Sequence, residues 1–204
     1  GGDMADRVYL DGHPVETLCD SSLAPVTTQT GQKPSRVARA DLQALLMERF
    51  GLDGIHLGKK LVGIADDGTT VTATFADGTT DSADMLIGAD GARSIVRDYV
   101  QPEGAPPIER EYSGYTNVNG LVPVSASIGR PTAWTTYVAD GKRAAVMPIA
   151  GDRFYFWFDI PQPSGLPYAP AAGVAPLREA FGDWAPGVQE LLAAIDPATS
   201  LNRV

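Results

Sequence analysis

One cysteine, Cys19, is all that the 204 residues contain, so no internal disulfide can form and a reducing cytoplasm is the expected setting. Histidine is nearly as scarce. His13 and His56 stand far apart in the chain, and no Cys/His spacing predicts a zinc or other metal site. No apolar run approaches the ~18 residues of a membrane span, and no signal peptide opens the chain, so no membrane partner is expected. No Lys/Arg cluster offsets the formal net charge of -9, which argues against nucleic acid or an anionic surface as the main partner. Internal repeats and low-complexity segments are absent. So is the Gly-x-Gly-x-x-Gly loop that opens many dinucleotide-binding folds, and no Ser/His/Asp or Cys/His arrangement points to a nucleophile. The first residues, "GGDMADRVYL", lack an initiator methionine, as a tag remnant or a cut inside a longer protein would leave them.

What is present is ordinary globular material, with 44% hydrophobic and 20% charged residues, enough for one sizeable core or one and a half domains. "VYLDGHPVETL" predicts strand, turn and strand, and "SSLAPVTTQTGQKP" predicts a loop. Leu42, Leu45, Leu46 and Phe50 recur at helical spacing, with Gly51 as a stop. In "TVTATFADG" Val71, Ala73 and Phe75 alternate with threonines, and Asp67-Gly68 and Asp77-Gly78 supply hairpin turns. A short buried strand is expected at Met85 to Ile87, then a helix from about Ala92. "QPEGAPPIEREY" is a proline-rich connector. The β-type runs "YSGYTNVNGLVPV", "TAWTTYVADGKRAAVMPIA" and "GDRFYFWFDIP" follow it. "PQPSGLPYAPAAG" predicts a loop, and two amphipathic helices broken near Pro186 come next. The expected fold class is mixed α and β. Residues 1–105 carry part of a cofactor-binding, Rossmann-like α/β domain, with an early strand assignable to the second portion. Residues 106–204 carry an antiparallel sheet covered by helices.

Each candidate site residue has two readings. Asp90, in "DMLIGADGARSIVR", sits just past a strand end between Gly88 and Gly91, where a carboxylate can accept from ribose or ribityl hydroxyls. The same carboxylate can equally cap the following helix. Arg39 and Gln43 share one helix face, and Arg39 at the helix start could clamp a pyrophosphate or simply be solvated. Arg143, among small apolar residues on a strand, is either paired with a carboxylate or aimed at an anionic ligand. Tyr155 lies on the next strand, as core or as a pocket wall. Asn117 offers an amide that both donates and accepts.

Together these pieces resemble one family. "DMLIGADGARSIVR" resembles the internal Asp-Gly motif of class A flavoprotein monooxygenases, the group that includes para-hydroxybenzoate hydroxylase. "VARADLQALL" resembles the Arg-x-x-Leu helix of that family, and the two motifs come in the family's order, about fifty residues apart. The second half narrows the resemblance to bacterial FAD-dependent urate hydroxylases and runs over nearly the whole chain. It implies FAD as cofactor, NADH or NADPH as reductant, O2 as oxidant and hydroxylation of an aromatic or purine substrate, most closely urate to 5-hydroxyisourate. It implies FAD contacts from Arg39, Gln43, Asp90 and the backbone of Leu61, substrate contacts from Asn117, Arg143 and Tyr155, and a catalytic role for Arg143 and Tyr155. One departure is Val118, where the family segment carries tryptophan; an indole missing beside the pocket would admit a related purine or aromatic. The family's opening Gly-x-Gly-x-x-Gly strand and its closing Gly-Asp segment are both absent, so the expected polypeptide is a central portion that alone binds FAD weakly or not at all and is inactive. Rival readings are a non-catalytic module for a small aromatic ligand and a class A hydroxylase acting on a phenol.

Overall fold

A computed structural model describes residues 2–13, 16–165 and 173–201. In chain order the strands are β1 (Gly2–Asp3), β2 (Asp6–Asp11), β3 (Thr17–Ser22), β4 (Ser35–Arg36), β5 (Leu61–Asp66), β6 (Val71–Phe75), β7 (Thr80–Ala83), β8 (Tyr115–Pro123), β9 (Ala133–Ala139), β10 (Lys142–Ile149) and β11 (Arg153–Pro161). The helices are α1 (Ala24–Thr30), α2 (Arg39–Phe50), α3 (Ile95–Tyr99), α4 (Ala175–Phe181) and α5 (Pro186–Ala194). The fold is mixed α and β, as expected. No helix among the described residues is long and apolar enough to cross a membrane, and no cluster of His, Cys, Asp and Glu there could hold a metal ion.

Two compact units form, Gly1–Leu45 with Tyr112–Val204, and Leu46–Glu111. The early strand falls in the unit of the later sheet, the assignment the sequence left open, and the second unit runs to Glu111. The early residues join the later sheet because β2 pairs in parallel with β9, Asp6 opposite Ala133 through Asp11 opposite Val138. The order of the six-stranded sheet is β3-β2-β9-β10-β11-β8, antiparallel at every other step.

Two short turns set its central register. Asp140 and Gly141 close the β9–β10 hairpin with positive φ at both positions (50° and 70°), the backbone that matches strand twist in a two-residue loop. A three-residue loop, Ala150 to Asp152, closes β10–β11. Strand alternation then separates two faces. Phe154, Phe156, Phe158, Val118, Val122, Ala144, Val146 and Tyr137 point to one side, where α4 and α5 cover them with Leu177, Phe181, Val188, Leu191 and Leu192. The α5 backbone comes so close that a Cβ on Gly187 would lie 2.2 Å from Tyr137 Oη.

One contact at the edge of this unit responds to pH. His13 Nε2 lies 2.8 Å from Asp140 Oδ2, with Asp183 4.0 Å from Nδ1. Its hydrogen bond to Asp140, and the negative charge of both aspartates, raise the His13 pKa above the ordinary 6.5. A raised folded-state value stabilises the fold below the unfolded pKa, and that stabilisation is lost as pH rises through the folded value. Wild type should therefore melt above His13→Gln at pH below about 6, with the gap closing as pH climbs past neutral. A pH-independent gap in melting temperature would contradict this assignment.

The second unit holds the three-stranded antiparallel sheet β5-β6-β7, with α3 against β5. Asp67 accepts from the backbone N–H groups of Thr70 and Thr69, and Asp77 accepts from Lys59 Nζ and then from the hydroxyl and backbone N–H of Thr79; these bonds hold both carboxyls below the ordinary range.

Three local expectations need correction. "SSLAPVTTQTGQKP" holds a helix, α1, with proline in its first turn and Gly31 in the left-handed conformation at its end. Met85 to Ile87 is no strand among the described residues: the ladder stops at Ala83, no neighbour supplies hydrogen bonds, and Met85 and Ile87 are exposed. The helix expected from Ala92 begins as a 3-10 turn, Gly91–Arg93, and becomes α-helical only at Ile95. Of the segments read as loop or tail, residues 166–172 and 202–204 lie outside the described residues.

Candidate functional site

Opposite the helices, the sheet turns a second face outward, and its chemistry differs. The register aligns Arg143 with Asp159 and Asp159 with Asn117, and it aligns Met147 with Tyr155 and Trp157 with Asn119. All of these residues alternate with the core set and so share the outward face. Arg143 and Tyr155, assigned separately from sequence, thus belong to one surface with Asn117.

At its centre is a charge cluster. Arg143 Nη2 lies 2.9 Å from Asp159 Oδ2, and Asn117 Nδ2 donates to Asp159 Oδ1 at 2.7 Å. Asn119 Nδ2 donates in turn to Asn117 Oδ1 at 2.7 Å. The Asp159 side chain is only 10% exposed, while that of Arg143 is 56% exposed. Of the two sequence readings of Arg143, the geometry displays the carboxylate partner, on a side chain that stays more than half exposed.

Beside the cluster lies an aromatic floor. The Tyr155 and Trp157 rings are 5.8 Å apart, and Trp134 meets Trp157 edge-on at 5.5 Å. The Arg7 guanidinium stacks over Trp134 at 3.9 Å, with Arg36 5.2 Å from the same ring. Burial, followed by the negative charge of Asp159, raises the Tyr155 pKa; Arg39 pulls it the other way. The phenol is neutral at physiological pH and available as a hydrogen-bond donor.

Arg39 is the first residue of α2, and the ion pair from Arg153 Nη2 to Asp41 Oδ2, 2.7 Å, ties that first turn to β11. Arg39 and Gln43 are exposed, and Arg39 has no carboxylate partner among the described residues. A cation and an amide one turn apart form a donor set suited to an anionic group such as a cofactor phosphate.

In the other unit, Leu61 opens β5 opposite Phe75, followed by an irregularity in the ladder at Val62. Asp90 turns inward on its own chain. Its carboxylate accepts from Ser94 Oγ and from the backbone N–H groups of Ile95 (2.8 Å) and Val96 (3.4 Å), while Ser94 Oγ accepts from Arg97 N. These bonds lower the Asp90 pKa, the Ser94 contact foremost. The N-cap of α3 is Ser94, and Asp90 supports it from one turn earlier by accepting from Ser94 Oγ and the first backbone N–H groups of the helix. Gly88 is also explained locally, since a Cβ there would lie 2.5 Å from Val96 Cβ. Gly91, by contrast, has φ of +79° and open space where a Cβ would stand.

Two further points were hidden in the sequence. Asp159 is not among the sequence candidates, although the spacing Tyr155, Trp157, Asp159 puts it on the Tyr155 face and the short Ala-Gly-Asp loop sets it opposite Arg143. Val118 was placed beside the pocket, but it is 6% exposed and faces the core opposite Phe158. Its two neighbours, Asn117 and Asn119, face the site. The residue at 118 therefore bears on core packing and not on the outward face.

Comparison with known proteins places the chain in a family. The FAD binding domain family matches residues 8–165. FAD-dependent urate hydroxylase of Mycolicibacterium vanbaalenii is 50% identical over 206 residues, covering 100% of this chain and 51% of that protein. Its counterpart from Klebsiella pneumoniae is 41% identical over 204 residues, covering 100% and 52%. The chain thus spans about half the length of the relatives it matches. The crystal structure of Klebsiella pneumoniae HpxO with FAD and uric acid superposes with a TM-score of 0.91 at 40% identity, over 98% of this chain and 51% of that one. A salicylate hydroxylase substrate complex shares the fold alone, with a TM-score of 0.71 at 22% identity over 98% and 53%. From the family match over residues 8–165, the chain belongs to the FAD binding domain family.

Proposed function

We propose that the protein carrying this chain is a FAD-dependent monooxygenase that uses NADH or NADPH and O2 to hydroxylate urate to 5-hydroxyisourate, in the cytoplasm and as a step of purine breakdown. The observation that carries this reading is the Arg143–Asp159–Asn117 cluster on the sheet face that also bears Tyr155. Relatives at 50% and 41% identity are FAD-dependent urate hydroxylases, and HpxO was crystallised with uric acid. The single free thiol, Cys19, is exposed, which is in keeping with a reducing compartment.

The bound flavin would supply the redox chemistry, accepting reducing equivalents and passing oxygen to the ring. The chain's own residues do the rest. Arg143 would hold the urate anion through its outward N–H groups and favour the anionic, more electron-rich form electrostatically. Asn117, with one amide hydrogen committed to Asp159, would offer the other. Tyr155, held protonated by burial and by Asp159, would donate to a substrate oxygen or nitrogen and orient the ring. The aromatic floor of Tyr155 and Trp157 suits a flat heterocycle. Arg39 and Gln43 would bear on the cofactor's phosphates, and Leu61 and Asp90 would be further cofactor contacts, Asp90 with the lone pairs that its bonds to α3 leave over.

The test is a steady-state assay on the yellow, full-length protein. Urate should stimulate NADH or NADPH oxidation and be consumed with it. A colourless protein that takes up no FAD would overturn the reading in favour of a non-catalytic module, and stimulation by a phenol but not by urate would move the substrate.

A further inference from the structure

Asp159 has no part in the assignments above except as a partner, yet it is the most shielded charged group on the outward face. Its side chain is 10% exposed, and it meets two donors from two different strands, one on each side of β11. Resting on the reading of this face as the substrate site, we propose that Asp159 is its positioning residue: the carboxylate clamps Arg143 and Asn117 at one spacing and one orientation, so that the face reads a planar anionic heterocycle by donor geometry as well as by charge.

Three features support this. A carboxylate can only accept, so it fixes the Asn117 amide with Nδ2 toward Asp159 and Oδ1 toward Asn119, as observed. The Asp159 carboxylate, 2.9 Å from Arg143 Nη2, draws the guanidinium toward β11 by charge, while the arginine side chain stays 56% exposed. Finally, the Arg143–Asp159 pair is net neutral. An anion arriving there meets a directional row of donors in place of a bare positive charge, and a poorly fitting anion gains little.

A neutral isostere separates these effects. In Asp159→Asn the amide nitrogen must face either Arg143 or Asn117, donor against donor, and Arg143 loses its counter-charge. In the full-length holoenzyme, kcat for urate should fall about 10- to 100-fold, with more of the reductant diverted to hydrogen peroxide, while KM for urate stays level or drops. Bound FAD and melting temperature should match wild type. In the Arg143→Met background the same substitution should cost less than it does alone, because the part of its effect that acts through Arg143 is already gone and only the part through Asn117 remains.

Retained kcat and coupling in Asp159→Asn, or a full additive loss in the double variant, would overturn the proposal. A parallel decline of kcat, FAD content and melting temperature would do the same, since that marks a purely structural residue. A second measurement needs neither substrate nor a folded variant. The 15N-resolved guanidinium resonances of Arg143 in wild type should show a rotation-restricted group, and a freely rotating guanidinium overturns the clamp. If wild type fails to turn over urate, the proposed function falls, and the resonance measurement still decides the clamp by itself.

Discussion

Arg143→Met in the full-length enzyme should lower kcat/KM for urate by about 100-fold or more, the usual consequence of removing a charged donor aimed at an anionic reacting group. Reduction of the flavin by NADH or NADPH in the absence of substrate should continue, because nothing places Arg143 in that step. Stability should change little. The Arg143 side chain is 56% exposed, so solvent screens its pair with Asp159 and the pair contributes at most about 1 kcal/mol to the fold. Methionine also keeps the unbranched stem that lies along the strand. The comparison to make is therefore between two measurements on the same variant. Catalytic loss with an unchanged melting temperature supports a substrate-side arginine. Undiminished urate-dependent oxidation would remove Arg143 from the site, and equal losses in stability and turnover would make it a structural residue.

The second large effect lies on the opposite face. Phe158→Ala should destabilise the unit by about 3–5 kcal/mol, a large part of the ~5–15 kcal/mol available to a domain. Phe158 is fully buried, 4.8 Å from the Phe181 ring and 5.9 Å from Phe156, and Phe181 continues to Trp184 at 4.7 Å. This row of aromatic contacts is what holds α4 and α5 on the sheet. Neighbouring side chains come from strands whose register is locked by two short hairpins, so the space cannot close around an alanine. The melting temperature should fall by about 6–20 °C, and the urea midpoint should fall with an unchanged slope. A shift of under about 2 °C would show that the sheet and helices are not packed as described. The same change would test the two-faced sheet directly, because Trp157, one residue earlier and half-buried on the other face, should be far more tolerant of truncation.

Much of this arrangement was readable from local pattern. The helical spacing of Leu42, Leu45, Leu46 and Phe50, the break at Pro186 and the alternation of "RFYFWFD" each encode structure within a few residues, and each appears where the pattern put it. Arg143, Tyr155 and Asn117 were legible as candidates for the same reason. Other features depend on partners distant in sequence. Met85 to Ile87 is apolar enough for a strand, but a strand exists only when another pairs with it. Asp90 had a turn reading and a cofactor reading, and only the fold shows that its carboxylate is directed toward Ser94 and Ile95.

By itself the sequence determined the kinds of element, the set of candidate site residues and the net negative charge. These follow from periods of two and 3.6 residues and from side-chain chemistry, both of which are local. The tertiary structure alone decided which of those residues meet. It joined β2 to β9 across more than a hundred residues, turned Val118 into the core, and set Asp159 between Arg143 and Asn117. The physical reason is register: shifting a strand by one residue sends every side chain to the opposite face, and register is fixed by turn geometry and by which face must be buried, neither of which any single strand contains.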